Sequence, residues 1–268
     1  MLKDITLGQF FPGNSPIHRL DPRTKLIMLV VYIVALFLAK SWVSYAVMFV
    51  FLVFSIKIST IPPKSILRGM KPLVMILVFT GVLNIFFTQE GKVLVNFWII
   101  TITSGGVSRA VLMMLRILML ISGTFLLTYT TSPIALTDGL EALLNPLKKV
   151  GVPVHELSMM MCIALRFIPT LIEETDKIMS AQKARGADFE TGSLTDRAKA
   201  LVPILVPLFI SAFRRADELA TAMESRCYQG GDGRTKMKLL RYHRGDIVTF
   251  GIGACLVAVV SVLGTFGL

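Results

Sequence analysis

The chain has 268 residues, is 54% hydrophobic, has a mean hydropathy of +0.70 and carries a formal charge of +11. That excess of apolar residues excludes an ordinary soluble domain and points to a polytopic membrane protein. No stacking-aromatic pattern or nucleic-acid motif accompanies the charge, so no nucleic-acid partner is expected; cytoplasmic segments of membrane proteins collect Lys and Arg in the same way. Cys162, Cys227 and Cys255 are too scattered for a disulfide framework or a metal site. His18, His155 and His243 are equally dispersed, and no catalytic, metal-binding or cofactor-binding residues are expected.

The N-terminus, Met1-Leu2-Lys3-Asp4, stays polar to Lys25 and lacks a signal peptide's apolar core. Leu26–Ala39 and Ser41–Ile56 are apolar runs separated by Lys40, with Trp42 placed for an interface; they predict a tight hairpin of two spans. A Pro-containing loop with Lys57, Lys64, Arg68 and Lys71 leads to a third run, Leu73–Phe87. Val93–Thr103, bounded by Gly91 and Gly105-Gly106, alternates weakly and reads as an extracellular hairpin or interfacial segment. Val107–Thr131 is the fourth span, with Arg109 and Arg116 on one face. Ile247–Phe266 is the fifth, rich in small residues that permit close helix contact in lipid.

Between the fourth and fifth spans lies the one large polar region. Leu136–Val150 is a short amphipathic helix closed by Gly151. Val154–Gly186 is a long helix, apolar first and charged later (Glu173, Glu174, Asp176, Lys177, Lys183). Ser193 is a plausible N-cap, with Asp196 three residues on, for a helix of the same design: Leu201–Phe213 apolar, Arg214–Arg226 polar. Arg166 and Pro169 interrupt one apolar half, and Pro203 and Pro207 the other. Runs of that length are more often buried or interfacial than spanning. The expected fold is therefore an all-α membrane protein. About five transmembrane helices are accompanied by a cytoplasmic module of one short and two long amphipathic helices. The expected regions are 1–133 with four spans, 134–246 as the module, and 247–268 with the fifth span.

With the N-terminus inside, segments 1–25, 57–71 and 134–246 hold 24 of the 28 Lys and Arg residues. That places the N-terminus and the module in the cytoplasm and the C-terminus outside. No Asp or Glu lies within the five predicted spans, which argues against the ion site of a secondary transporter. No Gly-x-x-x-x-Gly-Lys-Ser/Thr loop is present, so ATP is not bound through a Walker A motif.

The two long helices end alike. A slide of 41 residues puts Asp176 on Asp217, Ile178 on Leu219, Ala181 on Ala222 and Arg185 on Arg226. Ala184-Arg185-Gly186 alone suits a helix C-terminus, where glycine takes a left-handed turn and a cation suits the dipole. Ser225-Arg226-Cys227 fits that less well, because Cys is not a usual residue for the turn. A repeated Arg between small neighbours suggests instead two plugs for two similar sockets on a partner.

Together with Leu20-Asp21-Pro22-Arg23-Thr24-Lys25, Ala164-Leu165-Arg166-Phe167-Ile168-Pro169, Arg214-Arg215-Ala216-Asp217 and Met223-Glu224-Ser225-Arg226-Cys227-Tyr228, these features resemble the T component of an energy-coupling factor (ECF) transporter. The resemblance covers nearly the whole chain and departs at the second Arg motif, where Ser-Arg-Cys replaces Ala-Arg-Gly. It implies a coupling subunit, not an enzyme, in a bacterial cell membrane. Two ABC-type ATPases would take Ala184, Arg185, Gly186 and Ser225, Arg226, Cys227 in their grooves. A substrate-binding S component would carry the vitamin or other micronutrient. Its contact residues on this chain are expected at Met159, Met160, Phe167, Leu201, Leu205 and Phe209, whose apolar surface exceeds what a helix pair can bury alone. The alternatives are a secondary transporter or a membrane scaffold without ATPase partners.

Overall fold

The computed structural model describes residues 10–87, 93–97, 100–187, 189, 193–231 and 239–266, with side chains of 93–102, 194, 196–198 and 266 left aside. Met1–Asp4, Gly91, Lys92 and the Asp196 side chain of the proposed cap lie outside the described residues. The described residues form two compact units, one from 10–142 with 239–266 and the other from 143–231.

In the first unit, α1 (Pro22–Leu38) begins one turn earlier than its apolar run. Asp21 is its N-cap, accepting from the Arg23 backbone N–H, and Pro22 takes the first helical position, where its missing donor is no loss. The chain turns at Ala39–Ser41 into α2 (Trp42–Ser59), which Ser41 caps through the Ser44 N–H. Thr60, at φ 57°, ends it in a left-handed turn. The short α3 (Pro63–Met70) buries Ile66 and Met70 and continues through a 3-10 turn into α4 (Val74–Phe87). Strands β1 (Val93–Phe97) and β2 (Ile100–Thr103) pair antiparallel, the hairpin alternative predicted for 93–103. Then come α5 (Ser104–Thr130), α6 (Pro133–Leu144) and, after the second unit, α9 (Arg244–Phe266).

Helices α1, α2, α5 and α9 share a core of Tyr32, Leu36, Tyr45, Met48, Met119, Leu256 and Val260. The Tyr32 hydroxyl donates to the Met119 carbonyl at 3.4 Å. Small residues set the helix spacing. A methyl group on Gly253 would meet Met28 Sδ at 2.7 Å, and one on Gly123 would meet the Tyr32 ring at 2.8 Å. Both glycines let α1 approach closely, which in lipid is where association energy comes from.

Among the described residues, five helices or helix pairs are long and apolar enough to cross a membrane: Trp42–Ser59, Pro63–Phe87, Ser104–Thr130, Val154–Ala184 and Arg244–Thr265. The chain is an all-α membrane protein in this sense, with the one small hairpin. The set differs from the expected one at two members. α1 has 17 residues, about 25 Å at ~1.5 Å per residue, somewhat short of a ~30 Å hydrocarbon core, although it packs in the centre of the bundle. α7 (Val154–Ala184) qualifies through the apolar stretch of its first half alone, although its second half is charged.

The second unit carries the 3-10 turn Asn145–Val150, closed by Gly151 at φ 87°, then α7 and α8 (Leu194–Glu224), each of 31 residues. Ser193 stands immediately before α8, its Oγ 2.7 Å from Thr195 Oγ1. Pairs that meet fall in opposite order along the two helices: Met159 with Tyr228, Glu174 with Ser211 and Arg215, Gln182 with Pro203. The helices therefore run antiparallel along one another and do not simply cross at one point.

Candidate functional site

The repeated arginines occupy the same place in the same backbone turn. At the end of α7 the Gly186 N–H donates to the Lys183 carbonyl at 3.0 Å and the Ala187 N–H to the Gln182 carbonyl at 3.0 Å. At the end of α8 the Cys227 N–H donates to the Glu224 carbonyl at 2.8 Å and the Tyr228 N–H to the Met223 carbonyl at 3.1 Å. Both are Schellman endings, with Arg185 and Arg226 as the capping residues and the next residue left-handed, Gly186 at φ 87° and Cys227 at φ 57°. Cys227 thus does what the sequence argued against: it fills a glycine position. A Cβ there costs energy, which only Asn, Asp or Gly ordinarily avoid. The capping geometry is present at both ends, so it no longer separates the two arginines.

Ala184, Arg185, Gly186, Ser225, Arg226 and Cys227 are all exposed. Neither guanidinium makes an ion pair or hydrogen bond with a described residue, and each is free to meet a partner. Because α7 and α8 are antiparallel, the two tips lie at opposite ends of the pair, roughly 35 Å apart at ~1.5 Å per residue. Arg226 also lines a hollow of about 390 Å³ with Met159, Met223, Cys227, Tyr228, Gln229 and Gly230. The Tyr228 hydroxyl reaches Met159 Sδ at 3.1 Å there.

Register and repeat combine into a local two-fold. The 41-residue shift carries Glu174 onto the place of Arg215, and Glu174 and Arg215 touch: Arg215 Nη2 donates to Glu174 Oε2 at 2.9 Å. An antiparallel pair in which a residue touches its own repeat mate has its rotation axis at that contact. The axis therefore passes near Glu174–Arg215, and Arg185 and Arg226 each lie eleven positions beyond it.

The six apolar positions divide. Met160, Leu201, Leu205 and Phe209 are exposed, Phe209 by 66%, whereas Met159 and Phe167 are half-buried. Leu201, Leu205 and Phe209 form one stripe at four-residue spacing, and Val202, Val206, Ile210 and Phe213 widen it. On α8 the buried apolar side chain among the described residues is Ile204, at 4%. The sequence identified the helix halves but could not say which face α7 turns to α8.

Two other polar groups in the first unit are explained by packing. Arg116 Nη2 donates to the Ala39 carbonyl at the end of α1, 3.1 Å away, with the Phe37 and Tyr45 rings beside its guanidinium at 5.5 and 5.6 Å. A cation at a helix C-terminus is favourable, so the bundle holds this intramembrane charge through one hydrogen bond and two ring faces, while its buried Nε makes no hydrogen bond. Asp246, fully buried, was missed by the sequence argument. Its Oδ1 accepts from the Asp21 N–H at 3.0 Å and its Oδ2 from the His243 N–H at 2.7 Å, tying the starts of α1 and α9 together. Arg23 grips Asp21 from the other side and lies over the Tyr242 ring at 4.1 Å. Burial alone would raise the Asp21 carboxyl, but the side-chain and backbone hydrogen bonds from Arg23 outweigh it and hold the group below the ordinary carboxylate range. Lys25 Nζ donates to the carbonyls of Thr130 and His18, closing the knot.

A family profile described as "Cobalt transport protein" matches residues 13–237. The chain is 55% identical over 265 residues to the energy-coupling factor transporter transmembrane protein EcfT of Thermosediminibacter oceani, covering 99% of each chain. It is 52% identical over 252 residues to that of Ruminiclostridium cellulolyticum (94% of each), and 50% identical over 240 residues to that of Bacillus subtilis strain 168 (90% of this chain, 91% of the relative).

Proposed function

Since the chain belongs to the family of energy-coupling factor transporter transmembrane proteins, the T components of these transporters, we propose that α7 and α8 are its coupling helices and that Arg185 and Arg226 dock two ABC-type ATPases. The observation that carries this is the local two-fold. A pair of identical exposed Arg-tipped endings, related by an axis between them, suits two related subunits that are themselves arranged about a two-fold. Arg offers fixed, planar donors to a groove of carbonyls or carboxylates, and the Schellman turn holds its backbone rigidly.

The exposed stripe of Leu201, Leu205 and Phe209, with Met160 and the half-buried Met159 and Phe167 on α7, would contact the S component, which binds the micronutrient, a vitamin among the candidates. An apolar patch of this extent marks an interaction surface. ATP hydrolysis would occur in the partners. This chain would carry the motion from them to the S component without covalent chemistry of its own. The hairpin would lie at the cytoplasmic face despite the length and apolarity of α7. Lys177, Lys183 and Arg185 on α7 and Arg214, Arg215, Asp217 and Glu218 on α8 favour water at its ends. The N-terminus would be cytoplasmic and the C-terminus outside, in a bacterial cell membrane.

Purification of the tagged chain from its native membrane, with identification of what remains bound, tests the proposal. Two Walker A-containing ATPases and a small polytopic membrane protein are expected. A chain that purifies without ATPases and moves substrate alone would overturn it.

A further inference from the structure

We infer that Glu174 and Arg215 form a brace on the local two-fold that sets the register of α7 against α8 and so fixes the two arginine tips relative to each other; the coupling role of the brace rests on the docking proposed above. Glu174 sits in the charged half of α7, half-buried against α8. Its Oε1 accepts from the Ser211 hydroxyl and its Oε2 from Arg215 Nη2 at 2.9 Å. Both oxygens are thus used across the helix pair.

Besides this pair, the polar contacts between the two helices among the described residues are the long Gln182–Pro203 bond at 3.4 Å and the Tyr228–Met159 contact beyond the end of α8. In the apolar half of α8 only Ile204 is buried, with Leu208 and Ala212 half-buried beside it, and smooth apolar contact between helices tolerates sliding by a turn. A single polar contact in such a seam is the best-attested way to fix one alignment. Position matters as much as chemistry. Because the pair lies on the axis, each tip is eleven residues away, roughly 16 Å at ~1.5 Å per residue, and the two lever arms are equal. A slide of one helix along the other would break the pair and shift both tips in opposite senses. With the brace intact, displacement of one tip must move the other.

The two-fold makes a specific demand on the sequence. The repeat mate of Ser211 is residue 170, and that residue is Thr170, another hydroxyl. Exchanging the charges, Glu174→Arg with Arg215→Glu, would rebuild the contact in its rotated form, with Thr170 standing where Ser211 stands now.

The test is a distance measurement between spin labels at Ser180→Cys and Thr221→Cys, which are repeat mates and both exposed. The full chain is placed in nanodiscs, with Cys162 and Cys255 replaced by Ser and Cys227 by Gly. From the helix rise and a ~10 Å interaxial spacing, one narrow distribution centred at roughly 20 Å is expected. Glu174→Arg, which sets two cations together on the axis, should broaden it roughly two-fold, as should Arg215→Glu, while the double exchange should return the original width. Glu174→Gln, which removes charge without adding repulsion, should broaden it to a lesser extent and serves if a reversal variant does not accumulate. An unchanged width in Glu174→Gln and Glu174→Arg, or a double variant as broad as its parents, would overturn the brace. No ATPase is present in the nanodisc, so this outcome is independent of docking, whose failure would appear separately as loss of co-purification.

Discussion

Arg185 and Arg226 cap their helices in the same Schellman turn, each one residue before a left-handed backbone and each exposed, at opposite ends of an antiparallel pair. The left-handed residue is glycine in one turn and cysteine in the other, so the two ends differ in stability by a predictable sign. Cys227→Gly should stabilise the end of α8 by up to about 1 kcal/mol, since it removes the Cβ penalty. Gly186→Ala should destabilise the end of α7 by about 1 kcal/mol or more. Amide exchange at Ala187 and Tyr228, whose N–H groups close the two turns, reads both effects: slower at Tyr228 in the first variant, faster at Ala187 in the second.

The exposed stripe of α8 should be dispensable for folding. Leu205→Gln and Phe209→Ser should change the stability of the purified chain by no more than about 0.5 kcal/mol, as exposed positions generally do. Ile204→Ala, at the buried position next to Leu205, should cost about 2–4 kcal/mol. In the intact transporter the stripe variants should release the S component and keep the ATPases. Co-purification of each partner with a tagged chain distinguishes this from loss of the ATPases first, which would show that the stripe does not serve the S component.

The Asp21–Asp246 knot supplies a pH-dependent prediction. Asp246→Asn weakens acceptance from two backbone N–H groups and should destabilise the chain by about 1–3 kcal/mol. The Asp21 carboxyl is lowered in the folded protein, so its contribution is complete above the unfolded value of about 4 and is lost as pH falls through the folded value. Asp21→Asn should therefore destabilise the chain at pH 7 and matter progressively less on acidification below about pH 4. Thermal melts of both proteins across that range should converge at the acid end.

Most of the helices were legible in the sequence because an apolar run and its flanking Pro, Gly and Asp carry local information. α1 gained its extra turn from Asp21-Pro22, whereas the helix expected to run from Leu136 to Val150 spans Pro133–Leu144 and Gly151 closes the 3-10 turn that follows it. The membrane-crossing set was less legible. One apolar stretch of span length does not distinguish α7, half charged, from a span, and α1 falls just short. Cys227 gave no warning of its positive φ, because a turn residue other than glycine is placed by the turn around it. Asp246 was invisible for a different reason: its partner Asp21 lies 225 residues away. The 41-residue repeat was visible, but its meaning as a rotation axis needed the antiparallel register, which depends on tertiary contacts. The same contacts decide that Met159 and Phe167 are half-buried while Met160 is not.

The topology proposed from the charge distribution is directly measurable. Ser193, exposed between α7 and α8, should react as Ser193→Cys only with reagents that reach the cytoplasm, in a chain otherwise lacking Cys. Labelling from outside intact cells would show that α7 is a true span.

The most direct measurement is ATPase co-purification with the Arg185→Ala, Arg226→Ala and doubly substituted chains, each with substrate uptake in the same cells. In a partly dry groove each arginine removed should weaken docking by about 2–5 kcal/mol. Each single variant should therefore retain less ATPase, Arg185→Glu less than Arg185→Ala, and the double variant none, with uptake lost. A double variant that keeps its full complement of ATPases and transports at the unmodified rate would contradict the assignment of these two helix ends as the docking points.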